Sequence, residues 1–218
     1  VIATLRRRWW LGLVAVFAFL NGVLALRYLL LPNAPLAAPL PNVRLMPVAL
    51  AVHATCAGLA LCLGPLQFLE RLRTSRAHAR IGRAYVVLVV IGGIAAVTLS
   101  FSAATGRVAA LGFFVLGITW LATTLGGYTS ARNGSYRRHA RWMLFSFACA
   151  AAAITLRFQL VLMTVFGLEF RTTYPLIAWA CWVPNVLAIA IFLRLVPAWP
   201  VSLRDRRRVL RAERSASA

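Results

Sequence analysis

The chain has 218 residues, 61% of them hydrophobic, with 24 basic against 4 acidic residues and a formal charge of +20. Soluble domains are ordinarily about 45–50% apolar; here the excess falls in runs of around twenty residues, the length that crosses a bilayer, and leaves no room for a sizeable soluble domain. The basic residues are all Arg and collect in alternate inter-helix segments, not on one face, which excludes nucleic-acid binding as the reason for the charge.

Taken in chain order, the apolar runs predict an all-α polytopic bundle of six transmembrane helices forming a single membrane domain over residues 1–218. The first span, Trp9–Leu31, follows Arg6, Arg7 and Arg8. It is longer than a signal-peptide core of about 7–15 residues and reads as an uncleaved helix. A proline-rich connector, Pro32 to Pro41, leads to the second span, Pro47–Leu69, in which Gly64-Pro65 is expected to bend or end the helix. The remaining spans are Ile81–Ala104, Val108–Ser130, Trp142–Phe166 and Tyr174–Val196, and a basic tail begins at Ser202. Short connections pair the third span with the fourth and the fifth with the sixth as antiparallel hairpins. Gly92 with Ala96, Ala122 with Gly126 and Ala148 with Ala152 are small-residue pairs at four-residue spacing, which allow close helix approach.

Eighteen Arg lie before the first span, between the second and third, between the fourth and fifth, and after the sixth, against four on the opposite side. The positive-inside rule then makes the rich side cytoplasmic, with both termini there, in a bacterial inner membrane. Cys56, Cys62, Cys149 and Cys181 all sit in apolar segments without CxxC spacing, so neither a disulfide framework nor a zinc site is expected.

The polar residues inside the spans carry what functional signal there is. Arg157 lies in the outer half of the fifth span, where a charge costs at least a few kcal/mol. It is satisfied either by helix carbonyls or by a bound anion or headgroup. His53, in the outer third of the second span, lies at similar depth and defines with Arg157 and Gln159 a polar intramembrane site; the alternative is a plain interhelical hydrogen bond. His78 and His139 begin matching His-Ala-Arg segments at the cytoplasmic ends of two spans. They are candidate ligands of a b-type haem or a metal, or else headgroup-level anchors beside Tyr85 and Trp142. If the fifth helix is continuous, His139 and Arg157 share one face, about 27 Å apart. Arg71, Arg73, Arg80, Arg83, Arg141 and Trp142 are expected to meet lipid headgroups or a partner.

The succession of His53, Gly64-Pro65-Leu66-Gln67-Phe68, Arg71, His78-x-x-x-Gly82-Arg83-x-Tyr85, Trp120, His139-x-x-Trp142-Met143 and Arg157 resembles the bacterial membrane-protein family called domain of unknown function 2306. The resemblance spans about His53 to Arg157 and implies the fold and orientation but no activity. Where the family pattern has Arg after Met143, this chain has Leu144.

The sequence holds no catalytic pair, nucleophile–base arrangement or phosphate loop. The reading it favours is a non-catalytic accessory subunit of a larger membrane complex, with membrane lipids and the subunits of that complex as partners. The alternatives are a small redox protein binding haem or quinone, and a transporter or lipid- or anion-binding protein.

Overall fold

The computed structural model describes residues 2–30, 45–73, 75–103 and 105–196, with the side chains of 2–11, 27–30, 70 and 71 excepted. The proline-rich connector and the basic tail therefore lie outside the described residues, as does the side chain of Arg71. Among the described residues all regular structure is helical: α1 (Ile2–Leu30), α2 (Pro47–Leu66), α3 (Glu70–Arg73), α4 (Arg76–Ser100), α5 (Arg107–Arg132), α6 (Tyr136–Ala150), α7 (Ala152–Val165), α8 (Phe170–Ala180) and α9 (Val183–Leu195). Five stretches are long and apolar enough to cross a membrane, namely α2, α4, α5, α6 with α7, and α8 with α9. In α1 the apolar stretch is Gly12–Leu26.

The outward surface agrees with a lipid solvent. Val87, Ile94, Leu111, Val161 and Leu176 all turn away from the bundle, and Leu176 is 69% exposed. A water-soluble monomer rarely shows so continuous an apolar surface.

Helix contact rests on small residues. The tightest crossing joins α1 to α2: a Cβ on Gly22 would stand 2.6 Å from the Gly58 carbonyl oxygen, and a Cβ on Gly58 would stand 2.7 Å from that of Gly22. Gly92 brings α4 against α2, where an added Cβ would lie 2.9 Å from Cys56. Not every glycine serves backbone approach. Gly126 and Gly127 make room for side chains, the Trp142 indole and the Met143 thioether of α6.

Two predicted helices are interrupted near their middles. The fifth span carries a one-residue turn at Ala151, between α6 and α7, where the backbone keeps helical dihedrals and the Ala151 N–H still bonds the Phe147 carbonyl. The sixth divides at Cys181 and Trp182. Here the cause is in the sequence: Pro184 has no N–H for the carbonyl of Ala180, and its ring crowds that carbonyl. Gly64-Pro65 does end α2 as expected, one residue later at Leu66. Two helices begin earlier than the hydropathy indicated, α4 at Arg76 and α6 at Tyr136, which brings His78 and His139 inside helices. The Ser75 hydroxyl caps α4 by accepting from the His78 backbone N–H.

The Gly22–Gly58 crossing generates a contrast. Gly58→Ala should destabilise the bundle by about 1–3 kcal/mol, the usual cost of overpacking. Gly12→Ala, where an added Cβ meets nothing within 4 Å, should be neutral or stabilising by up to about 1 kcal/mol through helix propensity. Thermal unfolding in detergent distinguishes the two.

Candidate functional site at the arginine-rich end

α4 and α6 face each other in register. The rings of His78 and His139 have centroids 6.4 Å apart and planes at 85°. Seven residues further along each helix, the Tyr85 hydroxyl lies 2.9 Å from that of Ser146. Both pairs are 61 residues apart in the chain. A constant difference in residue number, unlike a constant sum, requires parallel helices, so His78 and His139 emerge at the same end of the bundle. One turn beyond Tyr85 and Ser146, Val89 and Ala150 extend the match inside one buried cluster with Leu61, Trp120 and Cys149.

Below the histidines the seam is locked by hydroxyl groups. Thr124 donates to the Trp120 carbonyl at 2.7 Å and lies 2.6 Å from the Ser146 hydroxyl. Thr124 spends its one proton on that carbonyl, so Ser146 donates to Thr124 and Tyr85 donates to Ser146. Ser146 and Thr124 are wholly buried and Tyr85 nearly so. The chain ends on a helix carbonyl, so it is no proton path. It ties α4, α5 and α6 together and fixes the two helices that carry the imidazoles.

The histidines differ in support. His139 Nδ1 donates to the Gly127 carbonyl at 2.8 Å, which leaves Nε2 with its lone pair. His78 Nδ1 is buried with no hydrogen-bond partner. Among the described residues no cluster of three His, Cys, Asp or Glu side chains stands ready for a metal ion. Arg83 folds back onto its own helix, its Nε donating to the Ala79 carbonyl at 3.3 Å. Arg73 and Arg80 are exposed, Arg141 is half-buried, and Trp142 lies flat over Gly126.

The intramembrane set separates into two. His53 Nδ1 donates to the Gly92 carbonyl at 2.9 Å, an interhelical bond from α2 to α4. Arg157 Nη1 donates to the Ala153 carbonyl one turn back at 3.0 Å. Gln159 belongs elsewhere. Its Nε2 donates to the Ala180 carbonyl at 3.0 Å, the acceptor that Pro184 leaves empty.

Asn185 was not singled out by the sequence, yet it joins both interruptions. Its Nδ2 lies 3.4 Å from the Ala148 carbonyl beside the first, 3.1 Å from the Cys181 carbonyl at the second and 3.1 Å from the Thr155 hydroxyl. The available signal was the Trp182-Val-Pro-Asn185 run: a proline beside an amide inside an apolar span marks a helix break with its own donor.

The model of the family described as "Predicted membrane protein (DUF2306)" matches residues 50–193. The chain belongs to this family. The match takes in the expected stretch from His53 to Arg157 and continues through both interruptions, so the histidine seam and Asn185 are features of the DUF2306 region of the chain. No curated protein and no solved structure matches.

Two results are expected from this geometry. Ser146→Ala leaves the buried Tyr85 hydroxyl without its acceptor and should cost about 1–3 kcal/mol. Gln159→Leu should cost a similar amount by orphaning the Ala180 carbonyl. Adding Pro184→Ala to Gln159→Leu should recover much of that loss, because residue 184 then supplies the missing N–H. A double-mutant cycle on unfolding midpoints measures the coupling.

Proposed function

We propose that this protein is a small membrane redox carrier that holds a b-type haem between His78 and His139. The observation that carries this reading is the ring geometry. The two rings lie 6.4 Å apart between centroids, with their planes at 85°, and would hold the group between them. Two imidazoles leave an ordinary zinc site two ligands short. A haem would need only His78 and His139 from the protein. The bond from His139 Nδ1 to Gly127 is also the support expected behind a ligating imidazole. The group, when bound, supplies one-electron chemistry. The residues of the chain would orient the two imidazoles, with the buried Tyr85–Ser146–Thr124 chain behind them.

The Arg distribution supports a cytoplasmic placement of this site and of both termini in a bacterial inner membrane. A carrier there exchanges electrons with neighbouring membrane proteins, so a place beside a larger complex follows from the same reading. Transport draws support from the mid-span helix break at Cys181 and Trp182, a form seen where transporters bind substrate. The filling of freed carbonyls by Asn185 and Gln159 favours a structural role for them instead.

The test is direct. Protein expressed with adequate haem and purified in detergent should show a Soret band, and His78→Ala and His139→Ala should each abolish it while Arg157→Gln keeps it. A colourless wild type that binds no added haemin would sink the reading. For orientation, Arg132→Cys should react with an impermeant maleimide from the cytoplasmic face only, and Leu168→Cys from the opposite face only.

A further inference from the structure

The chain passes from α5 to α6 through Asn133, Gly134 and Ser135, and the backbone itself fixes this turn. Gly134 takes a positive φ of 70°. Its N–H bonds back to the Ala131 carbonyl at 3.0 Å, and the Ser135 N–H bonds to the Ser130 carbonyl at 2.9 Å. These are the paired bonds that close a helix on a left-handed glycine. The turn and the start of α6 line a cavity of about 580 Å³, formed by Gly134, Ser135, Tyr136, Arg137, Arg138 and Arg141. Small-molecule sites run to about 300–1,000 Å³.

Three of the lining residues are Arg and none is acidic. The four acidic residues of the chain, Glu70, Glu169, Asp205 and Glu213, all lie outside α5, α6 and the turn. Arg137 and Arg138 stand four and three residues before Arg141, so the three guanidinium groups share one side of α6. Like charges gathered around one concavity repel, and an anion between them removes the repulsion. Ser135 makes no side-chain bond to the start of α6, so the main-chain N–H groups of its first turn add donors for the same anion. His139 is two residues from both Arg137 and Arg141, about 200° around the helix from each. The cavity therefore does not draw on the histidine pair.

Its level along the helix decides which anion. Arg141 is followed directly by Trp142-Met-Leu-Phe145, where the apolar run begins. Leu144 and Phe145, one turn below Arg141 on the same side, are half-buried, and Trp142 is 38% exposed, an indole where such rings meet headgroups. A soluble anion would use the arginines and leave the apolar surface bare. A phospholipid uses both, with its phosphate among the arginines and its acyl chains along Leu144 and Phe145. The three cations also repel the cationic head of a zwitterionic lipid. We infer that this cavity is a binding site for the phosphate of an anionic phospholipid, held by Arg137, Arg138 and Arg141. The site stands whether or not a haem is bound.

The test uses the full chain in detergent, stripped of lipid, with bound lipid counted by native mass spectrometry. Phosphatidylglycerol should bind in preference to phosphatidylcholine with the same acyl chains. The double variant Arg137→Gln, Arg138→Gln should weaken that binding at least about tenfold, the lower end for hydrogen bonds to a charged group. Arg80→Gln removes the same charge from α4, where Arg80 is two residues from His78 and so turned away from α6; binding should stay within about threefold of wild type, since exposed charges act over only about 8–10 Å. If the double variant does not fold, a phosphatidylglycerol with a photoreactive headgroup decides on the wild type, and its crosslink should fall within residues 134–145. Equal binding of the two lipids, an equal loss in Arg80→Gln and the double variant, or a crosslink elsewhere would overturn the site. Displacement of phosphatidylglycerol by an equal concentration of inorganic phosphate would overturn a lipid as the source of the anion.

Discussion

The arrangement depends on one buried contact, the hydrogen bond between Tyr85 and Ser146. It sets α4 and α6 parallel and in register, and it does so across a gap bridged by side chains and not by backbone approach. Thr124 completes the bond from α5, and the three helices share one polar point in an otherwise apolar interior. In lipid an unsatisfied hydroxyl has no water to turn to, so such a point specifies a register more sharply than apolar packing does. Everything at the arginine-rich end inherits that register: His78 meets His139 because Tyr85 meets Ser146 two turns away.

The half of the bundle away from the arginine-rich end solves a different problem. The sixth span is broken, and the break frees a carbonyl that lipid cannot satisfy. Gln159 answers the proline-made vacancy at Ala180, and Asn185 reaches carbonyls on both sides. These amides look like site residues when the sequence is scanned for polarity, yet their geometry is that of repairs. His53 is similar, an interhelical bond to a glycine carbonyl that needs the small residue to be reached. The two ends of the protein therefore differ in kind. At one, the His78 Nδ1 is buried without a hydrogen-bond partner; at the other, His53, Gln159 and Asn185 bond to backbone carbonyls.

Sequence reasoning placed the helices well and their ends less well. Hydropathy follows the apolar core of a span, so it started α4 at Ile81 and α6 at Trp142 and left out the charged first turns that precede them. Those turns are helical because Ser75 caps one and Gly134, at a positive φ of 70°, turns the chain into the other. The four-residue small pairs pointed to close packing but missed Gly22 and Gly58, the tightest crossing, since a crossing between two helices leaves no fixed spacing in either one. Of the polar set, His53 bonds across to Gly92 on α4, Arg157 to its own helix at Ala153, and Gln159 to Ala180 on α8; direction around a helix axis is not a property that depth along it can give.

By itself, the sequence determined that the chain is a helical membrane protein, where its spans lie, and which family it joins, because hydrophobic length and motif order are linear properties. It also marked the two His-Ala-Arg segments as a matched pair. Only the tertiary structure decided that these segments face each other and that the sixth span breaks at Cys181 and Trp182. It alone showed that Gln159 and Asn185 mend that break. Facing depends on the rotation of each helix about its own axis, and that rotation is set by contacts between residues far apart in the chain.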